Sequence, residues 1–123
     1  MDFRFGKDKK LKSRKQIDKL FAEGDGLYHF PIRAVFLFDC NREPEFKIGV
    51  SVPKKKFKKA VDRNLIKRRM REAFRLNQNS LQPACKLDVM FIYTASQLLD
   101  YQQIEKAMIA LIADLNLASA EDI

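Results

Sequence analysis

The sequence predicts a single α+β domain, an α/β sandwich whose elements follow the order α-β-β-β-α-β-α. Three segments repeat apolar residues at helical spacing, and others alternate or run apolar as strands do. The length of 123 residues suits one domain with a modest core. No apolar run approaches the roughly 20 residues that span a bilayer, so no membrane segment is expected.

The N-terminal part is predicted to be a basic arm followed by a short helix. Residues 1–12 are polar and basic, lack periodicity and lack the apolar segment of a secretory signal, so a flexible arm is expected. In SRKQIDKLFAEG, Ser13 and Gln16 have capping-box spacing, and Gly24 suits the C-terminal end. One helical face carries the apolar residues Ile17, Leu20 and Phe21.

Two or three strands precede the next helix, and the predicted order counts three. In PIRAVFLFD (residues 31–39) both alternating sets are largely apolar. Either helices cover both faces of this strand, or one face is a groove lined with aromatic residues. FKIGVSV (residues 46–52) alternates and ends at Pro53, while Gly49 indicates a bulge or a close backbone approach.

The C-terminal half is predicted to hold a central strand and a last helix. LDVMFIYT (residues 87–94) is nearly continuously apolar, and it should share a sheet with residues 46–52 through a helical βαβ crossover. Asp100 can cap the last helix, with Gln103 at the capping-box position. The predicted buried stripe is Ile104, Met108, Leu111, Ile112 and Leu115. The domain is expected over residues 13–117, with a tail over residues 118–123.

Few residues offer catalytic or metal-binding chemistry. Cys40 and Cys85 are isolated, so two reduced thiols of a cytoplasmic protein are expected. His29 is the only histidine, and the acidic residues are scattered. A self-sufficient nuclease would need clustered carboxylates for Mg²⁺ or an acid–base pair. We therefore expect no catalytic residue and no metal site in the protein.

The positive charge is concentrated in one segment. The net charge is +8, and residues 54–71 hold ten of the 24 basic residues but one of the 16 acidic residues. The rest of the chain is left with 14 basic and 15 acidic residues. Such a local field attracts a polyanion and speeds its capture.

Much of this charge falls on one face of the helix predicted over residues 59–77. At 100° per residue, an arc of roughly 100° collects Asn64, Lys67, Arg68, Arg71 and Arg75. The opposite side is predicted to carry Leu65, Ile66, Met70, Ala73 and Leu76. Arg69 falls among these, so it must snorkel or pair. Like charges at this spacing destabilise a helix, so an anionic ligand explains the face better than the helix does.

These residues resemble a known family. Arg63-Asn64 followed by Lys67-Arg68-x-x-Arg71-Glu72 is similar to the signature of the bacterial ribonuclease P protein subunit. The flanking KIGVSVPKK (residues 47–55), KAV (59–61) and TASQLLDYQQIEKAM (94–108) also resemble that family. The similarity covers about residues 10–117. Three positions depart from the common pattern: Leu65 replaces a frequent Arg, Pro53 a frequent Ser, and Ile17 a common aromatic residue.

The resemblance implies a division of labour. In the family, the RNA subunit hydrolyses precursor tRNA with bound Mg²⁺, one protein assists each RNA, and the protein alone is inactive. The family fold has a left-handed βαβ crossover, against the usual hand. Contacts to the RNA subunit would come from Lys54, Lys55, Arg63, Asn64, Lys67, Arg68, Arg71 and Arg75. A cleft for the single-stranded 5′ leader of precursor tRNA would be formed by Ile17, Phe21, Ala34 and Phe36.

Two other RNA or DNA functions fit the sequence less well. A non-catalytic RNA-binding module, such as a ribosomal protein, fits the charge and size equally but not the segment over residues 94–108. A DNA-binding helix-turn-helix is disfavoured because no helix is predicted a short turn before the basic helix.

Overall fold

The structure, a computed structural model, describes residues 10–121, with side chains described through residue 119. Its elements are α1 (Arg14–Glu23), β1 (Asp25–His29), β2 (Ile32–Asp39), β3 (Glu45–Ser51), α2 (Ala60–Asn77), β4 (Lys86–Tyr93) and α3 (Tyr101–Glu121), with a 3₁₀ turn at Gln78–Ser80. The predicted order and the α+β class are confirmed. The third strand of the N-terminal half is β1.

One mixed sheet with the strand order β1-β2-β4-β3 separates two layers of helices. β1 pairs antiparallel with β2, β2 pairs antiparallel with β4, and β3 pairs parallel with β4. The parallel pair and the intervening α2 confirm the predicted βαβ unit. The hand of this crossover stays a prediction from the family resemblance.

The helix ends follow the predicted capping residues. Ser13 accepts a hydrogen bond from the backbone N–H of Gln16 at 3.3 Å, and Asp100 accepts one from that of Gln103 at 2.9 Å. At Gly24 the chain turns so tightly that a Cβ atom would stand 2.5 Å from the carbonyl oxygen of Leu20. Only glycine fits this exit from α1.

The larger core lies between the sheet and the pair α2 and α3. All five residues predicted for the buried stripe of α3 are buried. On α2, Ile66, Met70 and Ala73 are buried as predicted, but Leu76 is exposed and Phe74 takes its place in the core. Leu76 lies at the margin of the buried arc, whereas Phe74 is one helical turn from Met70.

A smaller apolar cluster fills the other side of the sheet under α1. It consists of Leu11, Leu20, Val35 and Met90, with Ile17, Leu37 and Ile92 half-buried around it. Gly49 makes the predicted close approach, because a Cβ atom there would stand 2.8 Å from Cε of Met90. The sheet is therefore covered on one face by two helices and on the other by one short helix.

The cysteine prediction was wrong. Cys40 and Cys85 form a disulfide, with their Cα atoms 4.7 Å apart. Asp39 and Lys86 are the last partners of the antiparallel β2–β4 pair, so the next residues on each strand meet beyond them. A separation of 45 residues carries no local motif from which this pairing could be read.

Both ends of the domain differ from their predicted boundaries. Leu11, assigned to the arm, is buried, and its N–H donates to the carbonyl of Ile48 at 2.8 Å. Residues 1–9 of the predicted arm lie outside the described residues. α3 continues through residues 118–121 of the predicted tail, and the buried Ser119 hydroxyl accepts a hydrogen bond from the N–H of Ala84 at 2.7 Å.

Candidate nucleic-acid interface

The basic face is the solvent side of α2, formed by Asn64, Lys67, Arg68 and Arg71. All four are exposed except Lys67, which is half-buried. Among the described residues none of the three cations forms an ion pair. The helix thus presents three cations that form no ion pair with an acidic side chain in residues 10–119.

Arg75 continues this face but is paired within the helix. Its Nε donates to Oε2 of Glu72 at 3.1 Å, and a second, shorter contact joins its Nη2 to Oε1. These hydrogen bonds lower the pKa of Glu72 and raise the pKa of Arg75. A phosphate at Arg75 would have to compete with this carboxylate.

Arg63 supports the chain that precedes the helix. Its Nη1 donates to the backbone carbonyls of Phe57 at 2.7 Å and of Lys58 at 2.9 Å. These residues belong to the lysine link, residues 54–59, whose five lysines are all exposed: Lys54, Lys55, Lys56, Lys58 and Lys59. Arg63 therefore fixes the backbone of a segment that presents cations beside the N-terminus of α2.

Arg69 pairs with a backbone carbonyl, which is one of the two outcomes that its position among apolar residues predicted. Its Nη1 donates to the carbonyl of Leu99 at 2.6 Å. The same segment is held by Tyr93, whose hydroxyl donates to the carbonyl of Gln97 at 2.7 Å and accepts from the N–H of Leu99 at 3.1 Å. Burial raises the pKa of Tyr93. These bonds join residues 94–100 to the inner side of α2.

Two of the four residues predicted for a leader cleft are not on the α1 side. Ala34 and Phe36 are buried, at 0% and 7% exposure, in the core beneath α2 and α3. Ile17 and Phe21 lie on α1, across the sheet from them. The prediction was wrong for Ala34 and Phe36, because both faces of β2 are apolar and alternation alone does not say which one α1 covers.

The α1-side face of the sheet is formed by the other set of side chains. The strand register places Gly26, Val35, Met90 and Gly49 in one row across the four strands. The next row, farther from Phe36, is Tyr28, Arg33, Ile92 and Ser51. Gly26 and Gly49, on the two outer strands, have no side chains, so the first row projects from the sheet only at Val35 and Met90. Val35, Met90 and Ile92 therefore lie on the sheet face on which Ala34 and Phe36 were predicted to lie.

A cavity of about 330 Å³ connects this face with the basic face at the edge of β3. It lies between the chain entering α1, the strands β3 and β4, and the outer side of α2. Its cations are Lys10, Lys12 and Arg71, and its apolar lining includes Ile17 and Met90. Arg71 thus belongs to both surfaces. Sequence reasoning missed Lys10 and Lys12, although the excess of basic residues near the N-terminus was a signal for them.

Metal-ligating side chains do not cluster in the described residues. Within residues 10–119, no three His, Cys, Asp or Glu side chains are placed to share a metal ion. Nε2 of His29 lies 2.6 Å from Oδ2 of Asp114, a pair on the α3 side of the sheet, away from the basic face. No helix in the described part of the chain is long and apolar enough to cross a membrane.

The fold is an α+β domain in which one helix carries an unpaired row of cations beside a lysine link. This arrangement is that of a nucleic-acid-binding protein. Comparison with known proteins makes this specific. A family model described as Ribonuclease P matches residues 5–116. The chain belongs to the family of ribonuclease P protein components, which bind RNA and act in tRNA processing.

Relatives and solved structures agree with this assignment. The ribonuclease P protein component of Porphyromonas gingivalis is 32% identical over 112 residues, covering 86% of this chain and 82% of the relative. That of Vibrio cholerae is 37% identical over 81 residues, covering 64% and 65%. The RNase P proteins of Staphylococcus aureus and Thermotoga maritima share the fold, both with a TM-score of 0.71, at 22% and 24% identity. They cover 87% and 85% of this chain, and 96% of each solved chain is covered.

Proposed function

We propose that this chain binds the RNA subunit of ribonuclease P through the basic face and the lysine link. The observation that carries the proposal is the row Lys67, Arg68 and Arg71, which has no acidic partner among the described residues. The planar guanidinium group of arginine suits phosphate oxygens. These cations lie about one helical turn apart along α2, so they face the phosphate backbone of one RNA strand. The family resemblance supports one protein per RNA subunit.

The chemical step is assigned to the RNA. The acidic side chains of the described residues do not converge, so they offer no cage for the hard cation Mg²⁺. Mg²⁺ held by the RNA would supply the activated water and stabilise the leaving oxygen. The protein's own residues bind and orient RNA. In this assignment the protein works in the cytoplasm, where precursor tRNA is processed, and it is inactive by itself.

The single-stranded 5′ leader of precursor tRNA is placed on the α1-side face. Phe21 is half-exposed, and Ile17 and Ile92 are half-buried around the buried pair Val35 and Met90. Single strands bind where apolar or aromatic surfaces lie next to cations, and Arg71 with Lys10 and Lys12 provides the cations at one end of this face.

Cleavage of a precursor tRNA tests the assignment of chemistry. The purified chain should leave the precursor intact at any Mg²⁺ concentration. The same chain added to a bacterial ribonuclease P RNA should restore cleavage at Mg²⁺ concentrations at which the RNA alone is slow. Cleavage by the protein alone, persisting through repeated purification and absent from a mock preparation, would contradict the proposal.

A further inference from the structure

Tyr28 is an exposed aromatic residue on the α1-side face. Its side chain is 56% exposed although it lies in a strand, and it stands opposite Arg33 in the β1–β2 pair. Its hydroxyl lies 3.4 Å from Oγ1 of Thr94, at the end of β4. The cluster under α1 is centred on Val35 and Met90, one row away, and Tyr28 is not part of it.

Two cations belong to residues that neighbour Tyr28: Arg33, its partner in the β1–β2 pair, and Lys56, which contacts Thr94. Nε and Nη2 of Arg33 are 3.8 Å from the point where a Cβ atom of Gly26 would stand, so the guanidinium lies over that glycine. Nζ of Lys56 donates to the carbonyl of Thr94, the residue whose hydroxyl group faces Tyr28. Both cations are exposed, and within residues 10–119 neither forms an ion pair.

We infer that Tyr28, Arg33 and Lys56 form a binding site for one nucleotide of single-stranded RNA. A base stacks on the Tyr28 ring, and the phosphates before and after it lie at Arg33 and Lys56. This combination of one aromatic ring and two cations suits RNA, because each nucleotide carries one flat base between two phosphates. The site also adjoins the lysine link, so the cations continue from it to the basic face.

The inference rests on the proposed function, in which the leader lies on the α1-side face. A leader that crosses Val35 and Met90 reaches the row containing Tyr28 and Arg33 next. The proposed function puts the RNA subunit, and with it the cleavage point, at the basic face, which meets the α1-side face at the β3 edge. The nucleotide held at Tyr28 is therefore farther along the leader than a nucleotide over Met90, and short leaders do not reach it.

The test uses holoenzyme reconstituted with a bacterial ribonuclease P RNA and precursor tRNAs whose leaders are lengthened one nucleotide at a time. For wild type, affinity should rise in steps as the leader grows. Tyr28→Leu should remove one late step, weakening binding of long-leader precursors about tenfold, as expected for one lost stacking contact. Short-leader precursors and mature tRNA should bind as they do to wild type.

Two controls separate stacking from other effects. Tyr28→Phe keeps the ring and should retain most of the affinity. Phe30→Leu changes a neighbouring aromatic residue, 61% exposed, that faces α3 in a separate cavity, and it should leave the affinity for every leader unchanged.

A third variant tests the phosphate contact. Arg33→Gln should lower the slope of log affinity against log salt by about 0.7 for long leaders, the value for one phosphate of a single strand.

Equal affinity of wild type and Tyr28→Leu for every leader would overturn the inference while leaving the proposed function intact. An equal loss for mature and precursor tRNA would overturn it too, because the ring would then contact the tRNA body. If wild type itself shows no dependence on leader length, the placement of the leader on the α1-side face fails, and this site fails with it.

Discussion

Reduction of the Cys40–Cys85 disulfide should lower the free energy of unfolding by about 4 kcal/mol. The bond closes a ring across a sequence separation of 45, which encloses β3 and the whole of α2. Chain-entropy arguments for a ring of this size give about 13 cal/mol/K of restricted freedom in the unfolded chain, hence about 4 kcal/mol near room temperature. Most of the RNA-binding surface lies within this ring.

The measurement is thermal and urea unfolding of the purified protein with and without dithiothreitol. The reduced protein should melt roughly 10–20 °C lower than the oxidised protein. Cys40→Ser is the matched control, because residue 40 is exposed and a hydroxyl there stays solvated. This variant should unfold like reduced wild type in either buffer. Cys85→Ser is less suitable, since residue 85 is 5% exposed and the new hydroxyl would be buried.

Identical unfolding of oxidised and reduced wild type would refute this reasoning. It would mean that the unfolded chain is already restricted near these residues, or that the bond does not form in solution. Counting free thiols in the unfolded protein distinguishes the two, because a formed bond leaves no thiol to label until reductant is added.

Three further predictions concern the core, the basic face and a tyrosine. Phe36→Ala should lower the free energy of unfolding in urea by about 3–5 kcal/mol, because the Phe36 ring packs in the core. A variant of normal stability that binds precursor tRNA weakly would instead show that Phe36 belongs to the leader cleft. Arg68→Ala and Arg71→Ala should each reduce the salt dependence of RNA-subunit binding by about one unit of slope with melting unchanged, and a lowered melting temperature would make them structural. Burial and, next in size, the hydrogen bond to Glu105 raise the pKa of Tyr101 from 10.0 to about 12. The stability that the protonated Tyr101 contributes should therefore be complete below pH 10.0 and be lost as the pH rises to about 12. Tyr101→Phe should remove that part of the pH dependence, and an unchanged profile would contradict the assignment.

Helical periodicity made the helices and the basic face predictable. A helix with apolar residues every three to four positions leaves one orientation that buries them, so the side of α2 bearing Arg68 and Arg71 had to face solvent. The caps at Ser13 and Asp100 are local chemistry, and the structure bears them out. The central strand β4 was recognisable because it is apolar on both faces, as its position between β2 and β3 requires.

The apolar character of both faces of β2 made this strand recognisable, but it also prevented a correct prediction of the cleft residues. A strand that is apolar on both faces gives no signal for which face meets which helix, and a shift of one residue exchanges Phe36 for Val35. The disulfide escaped prediction because it depends on the β2–β4 register, which brings together residues far apart in the chain. Tyr28 and Arg33 acquire a common position only through the pairing of β1 with β2.

The two hydrogen bonds from Arg63 to the carbonyls of Phe57 and Lys58 have a consequence for the rate and cost of assembly. A loop of five lysines would otherwise sample many backbone shapes, and an RNA would have to select one of them at each encounter. Held in this way, the loop meets the RNA in a single shape, so that association immobilises side chains but little backbone. An arginine that binds backbone carbonyls through its Nη1 can thereby govern how tightly its lysine neighbours hold phosphates.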